Sequence, residues 1–184
     1  MRLIRSALLY AALAVLANPA TADIAAAIEL RDGDMKKLTF HGQPVAAGKT
    51  EFSDPEGNSF SFSDYEGQVI LVNFWATWCA PCRKEMPTLE ALQVELGGDD
   101  FQVVTIATGR NVPAAITRFF DEAGVENLPI LLDPKSTLAR EMLVFGLPLT
   151  VLLDRKGQEI ARLRGDADWS TESAFAVIRA VMED

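Results

Sequence analysis

The stretch Val69-Ile70-Leu71-Val72-Asn73-Phe74-Trp75-Ala76-Thr77-Trp78-Cys79-Ala80-Pro81-Cys82-Arg83-Lys84-Glu85-Met86-Pro87 decides the fold. Its first seven residues are β-branched and aromatic apart from one leucine and one asparagine, the composition of a strand buried on both faces. Good helix formers follow, with apolar residues at Met86, Leu89, Leu92 and Leu96 spaced to stripe one helix face. Both cysteines of the chain lie at the junction, three positions apart. Cys79 is therefore expected at a helix N-terminus, where unpaired amides and the positive end of the helix dipole favour the thiolate. This is the chemistry of a dithiol that opens and closes. A structural staple is the alternative, but the loop-entropy formula gives so short a loop only roughly 2 kcal/mol, against roughly 3 for fifteen residues.

The pattern on either side is one of alternation. Downstream, residues 101–107, 129–132, 149–153 and 159–163 read as strands, and residues 112–123 and 136–143 as helices. The last two strands are joined by Asp154-Arg155-Lys156-Gly157-Gln158, too short for a crossover helix, so they form an antiparallel hairpin. Ser170 is expected to cap a final helix that buries Ala174, Phe175, Ile178, Val181 and Met182. Pro87 lies inside the first helix of this region, where it removes a backbone donor and should bend the axis. Upstream, residues 24–30 suggest a short helix, and the turn Asp54-Pro55-Glu56-Gly57-Asn58 suggests a hairpin joining residues 50–52 to the Phe60 strand. The fold class is α/β, a mixed central sheet flanked by helices on both faces, with an N-terminal helix and β-hairpin extension.

Residues 1–22 read as a cleaved signal peptide, with Arg2 and Arg5, a short apolar run over residues 7–17, and Ala20-Thr21-Ala22 before the cut. The run is well below the roughly 20 residues that span a bilayer, so a membrane anchor facing the same compartment is the alternative. Residues 23–49 form an N-terminal extension and residues 50–184 one domain. Net charge is −9, and loss of the two leader arginines would leave 15 basic against 26 acidic residues, or −11. Such acidity disfavours nucleic acid and anionic membranes as partners.

Residues 73–87 resemble the active-site segment of thioredoxin-fold proteins, and specifically of the exported TlpA-like thiol-disulfide reductases. Phe145-Gly146-Leu147-Pro148-Leu149-Thr150-Val151-Leu152-Leu153-Asp154 looks like the cis-proline segment of that family. The resemblance covers roughly residues 50–184 and implies a thioredoxin fold. It makes Cys79 the attacking thiol and Cys82 the resolving thiol, with Pro148 opposite them in a cis peptide bond; an ordinary trans turn proline is the other reading. Thioredoxin itself has a buried aspartate six residues before the first cysteine, where this chain has Asn73. An amide is no base, so the proton on Cys82 must pass to water or to another acid. Glu85, three residues beyond Cys82, is a candidate for tuning the pair, or else a solvated helix acid. Trp78 and Pro81 are further tuning candidates, and Arg83 and Lys84 either favour the thiolate or simply make a charged surface. Leu149 stands where relatives often carry threonine.

The resemblance further implies a periplasmic, monomeric protein-disulfide reductase without cofactor. Its clients would be cysteine pairs of respiratory copper-site proteins or apocytochromes c, and a membrane reductant transporter would supply electrons. The alternatives are an oxidant that introduces disulfides and a thioredoxin-fold copper chaperone. Copper chaperones of the Sco type use a wider cysteine spacing and a downstream histidine, whereas here the only histidine is His41, read as a surface loop residue, so no metal site is expected. Residues 42–50 mimic a phosphate-binding loop but have the wrong glycine spacing and no buried strand before them.

Overall fold

The computed structural model describes residues 19–183, with side chains from residue 24 onward. The signal-peptide expectation therefore falls largely outside the described residues. The chain starts with α1 (Pro19–Glu29) and continues through β1 (Thr39–Ala46), β2 (Phe52–Ser53) and β3 (Ser59–Phe60). Then come β4 (Val69–Trp75), α2 (Ala80–Leu96), β5 (Phe101–Thr108), α3 (Pro113–Ala123), β6 (Leu131–Asp133) and α4 (Thr137–Glu141). It closes with β7 (Leu149–Leu153), β8 (Gln158–Arg164) and α5 (Glu172–Met182).

The strands form one mixed sheet in the order β1-β8-β7-β4-β5-β6-β2-β3. Strand β4 is central, parallel to β5 and antiparallel to β7, which is why its seven residues are all buried. Its side chains alternate between two cores, as a period of two requires. Val69, Leu71 and Trp75 join Met86, Leu89 and Leu92 of α2, Phe119 and Phe120 of α3, and Val177 and Ile178 of α5. Ile70, Val72 and Phe74 face the other way, toward Phe52, Phe62 and the α4 residues Leu138 and Ala139. Trp75 stacks on Phe120 with ring centroids 5.6 Å apart and lies 5.7 Å from Phe119, anchoring the strand end that leads into the cysteines.

The expected hairpin is present, with Phe52 paired to Phe60, and it adds to the sheet through Ser53 and Leu132. Helix α2 runs without interruption through Pro87. Several sequence expectations need correction. Thr171, not Ser170, caps α5: its hydroxyl accepts from the Ala174 amide, while Ser170 is turned to Asp168. The buried face of α5 includes Val177 and Ala180, whereas Phe175 and Met182 are only partly buried. The third strand of the alternating region begins at Leu131, not Pro129, and its helix partner α4 is only five residues long. Asp133 ends that strand and supplies the start of α4, accepting from the amides of Thr137 and Ala139.

His41 is not a loop residue. It lies on the edge strand β1, whose pairing with β8 is irregular between Phe40 and Val45, and its Nε2 is 2.7 Å from Glu159 Oε1. Arg162 completes the group by donating to both oxygens of the buried Glu159, at 2.6 and 2.7 Å. Side chains from two adjacent strands, His41 of β1 and Arg162 of β8, thus converge on a carboxylate that would be costly to bury alone.

Candidate active site

The central strand β4 delivers the chain to the end of the sheet at Trp75, and α2 starts five residues later. Cys79 is the N-cap of that helix, in extended backbone geometry, and Pro81 sits in the first turn, where a missing amide hydrogen costs nothing. Cys79 and Cys82 are joined as a disulfide with an S–S distance of 1.98 Å and a Cα–Cα distance of 5.3 Å. The Cys82 amide donates to Cys79 Sγ at 3.3 Å, a contact that would also steady a thiolate at the helix end. Cys79 retains 6% exposure and Cys82 none, so the first cysteine is the nearer of the two to solvent.

The surroundings of the pair are apolar and open. Trp78 is 67% exposed and Phe145 is 89% exposed, while Trp75, the other tryptophan of the motif, is core. Thr77 donates through its amide and its hydroxyl to Asn111 Oδ1, at 2.8 and 3.0 Å. This ties the loop carrying Trp78 to the loop before α3, where Val112 is also exposed. The antiparallel register pairs Asn73 with Thr150 and Phe74 with Leu149, so Pro148 comes next, beside Trp75. The Leu147–Pro148 peptide bond is cis, not the trans turn of the alternative reading, and the Pro148 carbonyl accepts from the Gly165 amide at 3.0 Å. Cavities of about 590 and 580 Å³ occur elsewhere, and neither is lined by a cysteine.

Beneath the cysteines lies a buried polar group. Glu85 is 2% exposed, which rules out the solvated-acid reading. Its Oε1 accepts from Asn73 Nδ2 at 2.8 Å and its Oε2 from the Ala167 amide at 3.1 Å. Burial pushes its pKa up to about 7, against the opposing pull of the hydrogen bonds from Asn73 and Ala167. The Trp169 indole N–H also lies close enough to favour the ionised form without reaching hydrogen-bond geometry. Asn73 Nδ2 donates to Thr150 Oγ1 as well, at 2.9 Å.

The two basic residues after the motif are occupied elsewhere. The Arg83 guanidinium sits 4.5 Å above the Phe119 ring, and Lys84 is paired with Asp166 at 3.6 Å. Thr150, Asn111 and Ala167 join the site without having been expected there. Thr150 had a visible signal, a hydroxyl inside the apolar strand Leu149–Leu153. Asn111 and the Ala167 amide had none, because both contribute through long-range contacts.

A family model described as the AhpC/TSA family matches residues 42–161. The chain is similar to thioredoxin-like protein YneN of Bacillus subtilis (strain 168), 40% identical over 102 residues that cover 55% of this chain and 59% of that protein. It is 30% identical over 118 residues to thiol-disulfide oxidoreductase ResA of Geobacillus kaustophilus (strain HTA426), covering 62% of this chain and 67% of that protein. The chain thus spans between 59% and 67% of the lengths of these two relatives. Among solved structures, a Chlorobium tepidum protein provisionally assigned as thiol:disulfide interchange protein DsbE superposes with a TM-score of 0.66 at 26% identity, covering 78% of this chain and 99% of that one.

Proposed function

We propose, from the premise that this chain belongs to the AhpC/TSA family and has its thioredoxin-like fold, that it is a thiol-disulfide oxidoreductase that reduces disulfides in client proteins. The observation that carries this reading is the asymmetry of the pair. Cys79 is the less buried cysteine and caps a helix N-terminus, and Cys82 is fully buried one helical turn from an acid whose pKa is about 7.

In the reducing direction the Cys79 thiolate attacks one sulfur of a client disulfide. The client S–S bond breaks, its other sulfur leaves as a thiolate and takes a proton, and a mixed disulfide joins client to Cys79. Cys82 then gives up its proton and attacks Cys79 Sγ. The mixed disulfide breaks, the second client thiol departs, and Cys79–Cys82 is left oxidised, with two electrons passed to the client. Asn73 cannot take the Cys82 proton, whereas Glu85 titrates in the working range and lies on the same buried helix face as Cys82. An open apolar rim suits an extended protein segment better than an enclosed small molecule.

The proposed setting is the periplasm, reached through the basic and apolar leader, with an anchored form as the alternative. The proposed clients are cysteine pairs of respiratory copper-site proteins or apocytochromes c, and a membrane reductant transporter would return the electrons. Support for these points comes from the leader pattern and from the family resemblance. The reading is tested by insulin reduction under a glutathione-linked assay, with Cys79→Ser expected to abolish turnover. A reduction potential near −120 mV, that of a strong oxidant, would instead mark a protein that introduces disulfides. Covalent complexes trapped in cells with Cys82→Ser identify the client, because that variant stalls at the mixed disulfide.

A further inference from the structure

The Asn73 side chain is wholly buried, yet only half of it is satisfied. Its Nδ2 donates to Glu85 and to Thr150, while its Oδ1 has no donor. With Glu85 ionised, turning the amide over offers no remedy, because the oxygen would then face a carboxylate oxygen and Nδ2 would lose both of its acceptors. A buried acceptor left dry costs roughly 1–3 kcal/mol, so its retention calls for a reason.

Its position supplies one. Asn73 alternates in register with Leu71 and Trp75, and the core on that face of the sheet contains Cys79, Cys82, Met86 and Leu89. Its Nδ2 reaches Glu85, one helical turn beyond Cys82 on the same buried stripe of α2. The unpartnered oxygen therefore lies in the layer between β4 and the first turns of α2. One group in that layer changes its hydrogen-bonding capacity with redox state. In the disulfide, Cys82 Sγ carries no hydrogen; in the dithiol it carries one.

We propose that Asn73 Oδ1 is the acceptor for the thiol hydrogen of reduced Cys82, so that this hydrogen bond exists in the dithiol form and is missing from the disulfide form. This rests on the redox reading of the pair. Reduction by an external dithiol breaks the Cys79–Cys82 bond with two electrons and two protons, and the donor becomes a disulfide; one of those protons is the one that Asn73 receives as a partner. Asparagine then has a purpose that aspartate cannot serve as well. It holds Cys82 as a thiol while the helix end and the Cys82 amide favour Cys79 as the thiolate, and it adds no second buried charge beside Glu85.

Infrared spectroscopy provides the direct test. With two cysteines in the chain, Cys79→Ser leaves Cys82 as the only thiol, and its S–H stretching band belongs to that residue alone. The expected band is broadened and lies below that of a free thiol, and it moves up in Cys79→Ser combined with Asn73→Leu. A band at the free-thiol frequency in Cys79→Ser alone overturns the proposal, and this outcome stands even if the Leu variant fails to fold. The second readout compares Asn73→Leu with Asn73 in a Glu85→Gln background, which removes the titrating acid. The equilibrium constant for reduction by glutathione is expected to fall about fivefold, equivalent to about 20 mV toward a more stable disulfide. No change, or a change in the opposite direction, refutes the proposal. Absence of insulin reduction with a shifted S–H band present would defeat the functional reading and leave the hydrogen bond standing.

Discussion

Replacing Glu85 by glutamine isolates the only acid among the described residues whose pKa is pushed up to about 7. The sign follows from the raised value. Below pH 4.5 the folded and unfolded chains both hold the proton, and the carboxyl contributes no pH dependence. Between 4.5 and 7 the unfolded chain releases it while the folded chain keeps it, so stability falls as pH rises. Above 7 the folded chain ionises too, and the loss is complete. Each tenfold gain in the folded chain's affinity for that proton is worth about 1.4 kcal/mol, so the full loss is about 3 kcal/mol. Glutamine preserves the shape and the acceptor for Asn73 but turns an N–H toward the Ala167 amide, a constant penalty of about 1–3 kcal/mol that does not vary with pH. Urea unfolding of the oxidised protein at a series of pH values, in both forms, gives the difference in stability without interference from thiol ionisation. The wild type should lose about 3 kcal/mol relative to Glu85→Gln between pH 4.5 and 8. A flat difference curve, or one that rises with pH, refutes the assignment of a raised pKa to this buried acid.

Arg162→Leu should cost about 3 kcal/mol, read from denaturation midpoints, because it leaves the buried Glu159 with His41 as its remaining partner; breaking the exposed Lys36–Asp32 pair with Lys36→Ala should leave the midpoint nearly unchanged. Thr171→Ala removes the cap of α5 and is expected to destabilise by about 1 kcal/mol, whereas Ser170→Ala should leave that helix end unaffected. If the exposed Phe145 ring belongs to the surface a client docks on, Phe145→Ser should raise KM for a protein disulfide several-fold while leaving kcat and the reduction potential unchanged; equal loss on a small disulfide such as oxidised glutathione would count against a docking role.

Residues 69–87 suffice to recognise the strand, the turn and the helix, because each is specified locally. A run of β-branched and aromatic residues, two cysteines with proline between them, and an apolar stripe at helical spacing need no distant partner to be read. The same holds for the closing hairpin, whose five-residue connection excludes a crossover. Local reading failed where two nearby residues compete for one role. Ser170 and Thr171 are both good caps, and the choice between them fell to Asp168, which takes the Ser170 hydroxyl at 2.6 Å. His41 looked solvent-bound because the irregular β1 carries little strand pattern, and its partner Glu159 is more than a hundred residues away.

The sequence by itself determined the dithiol, its place at a helix N-terminus, the alternation that builds the sheet, and the replacement of a buried base by Asn73. All of these depend on residue identity and spacing along the chain. Tertiary structure alone decided the environment of the pair: that Glu85 is buried and titrates near 7, that its carboxylate is shared between Asn73 and the Ala167 amide, and that Asn73 keeps one oxygen unpaired under α2. The physical reason is that burial and hydrogen bonding across β4, β7, α2 and the loop after β8 exist only when those elements are packed together. A carboxylate three residues from a cysteine reads the same in sequence whether water or a protein core surrounds it, yet its pKa is 4.5 in the first setting and about 7 in the second.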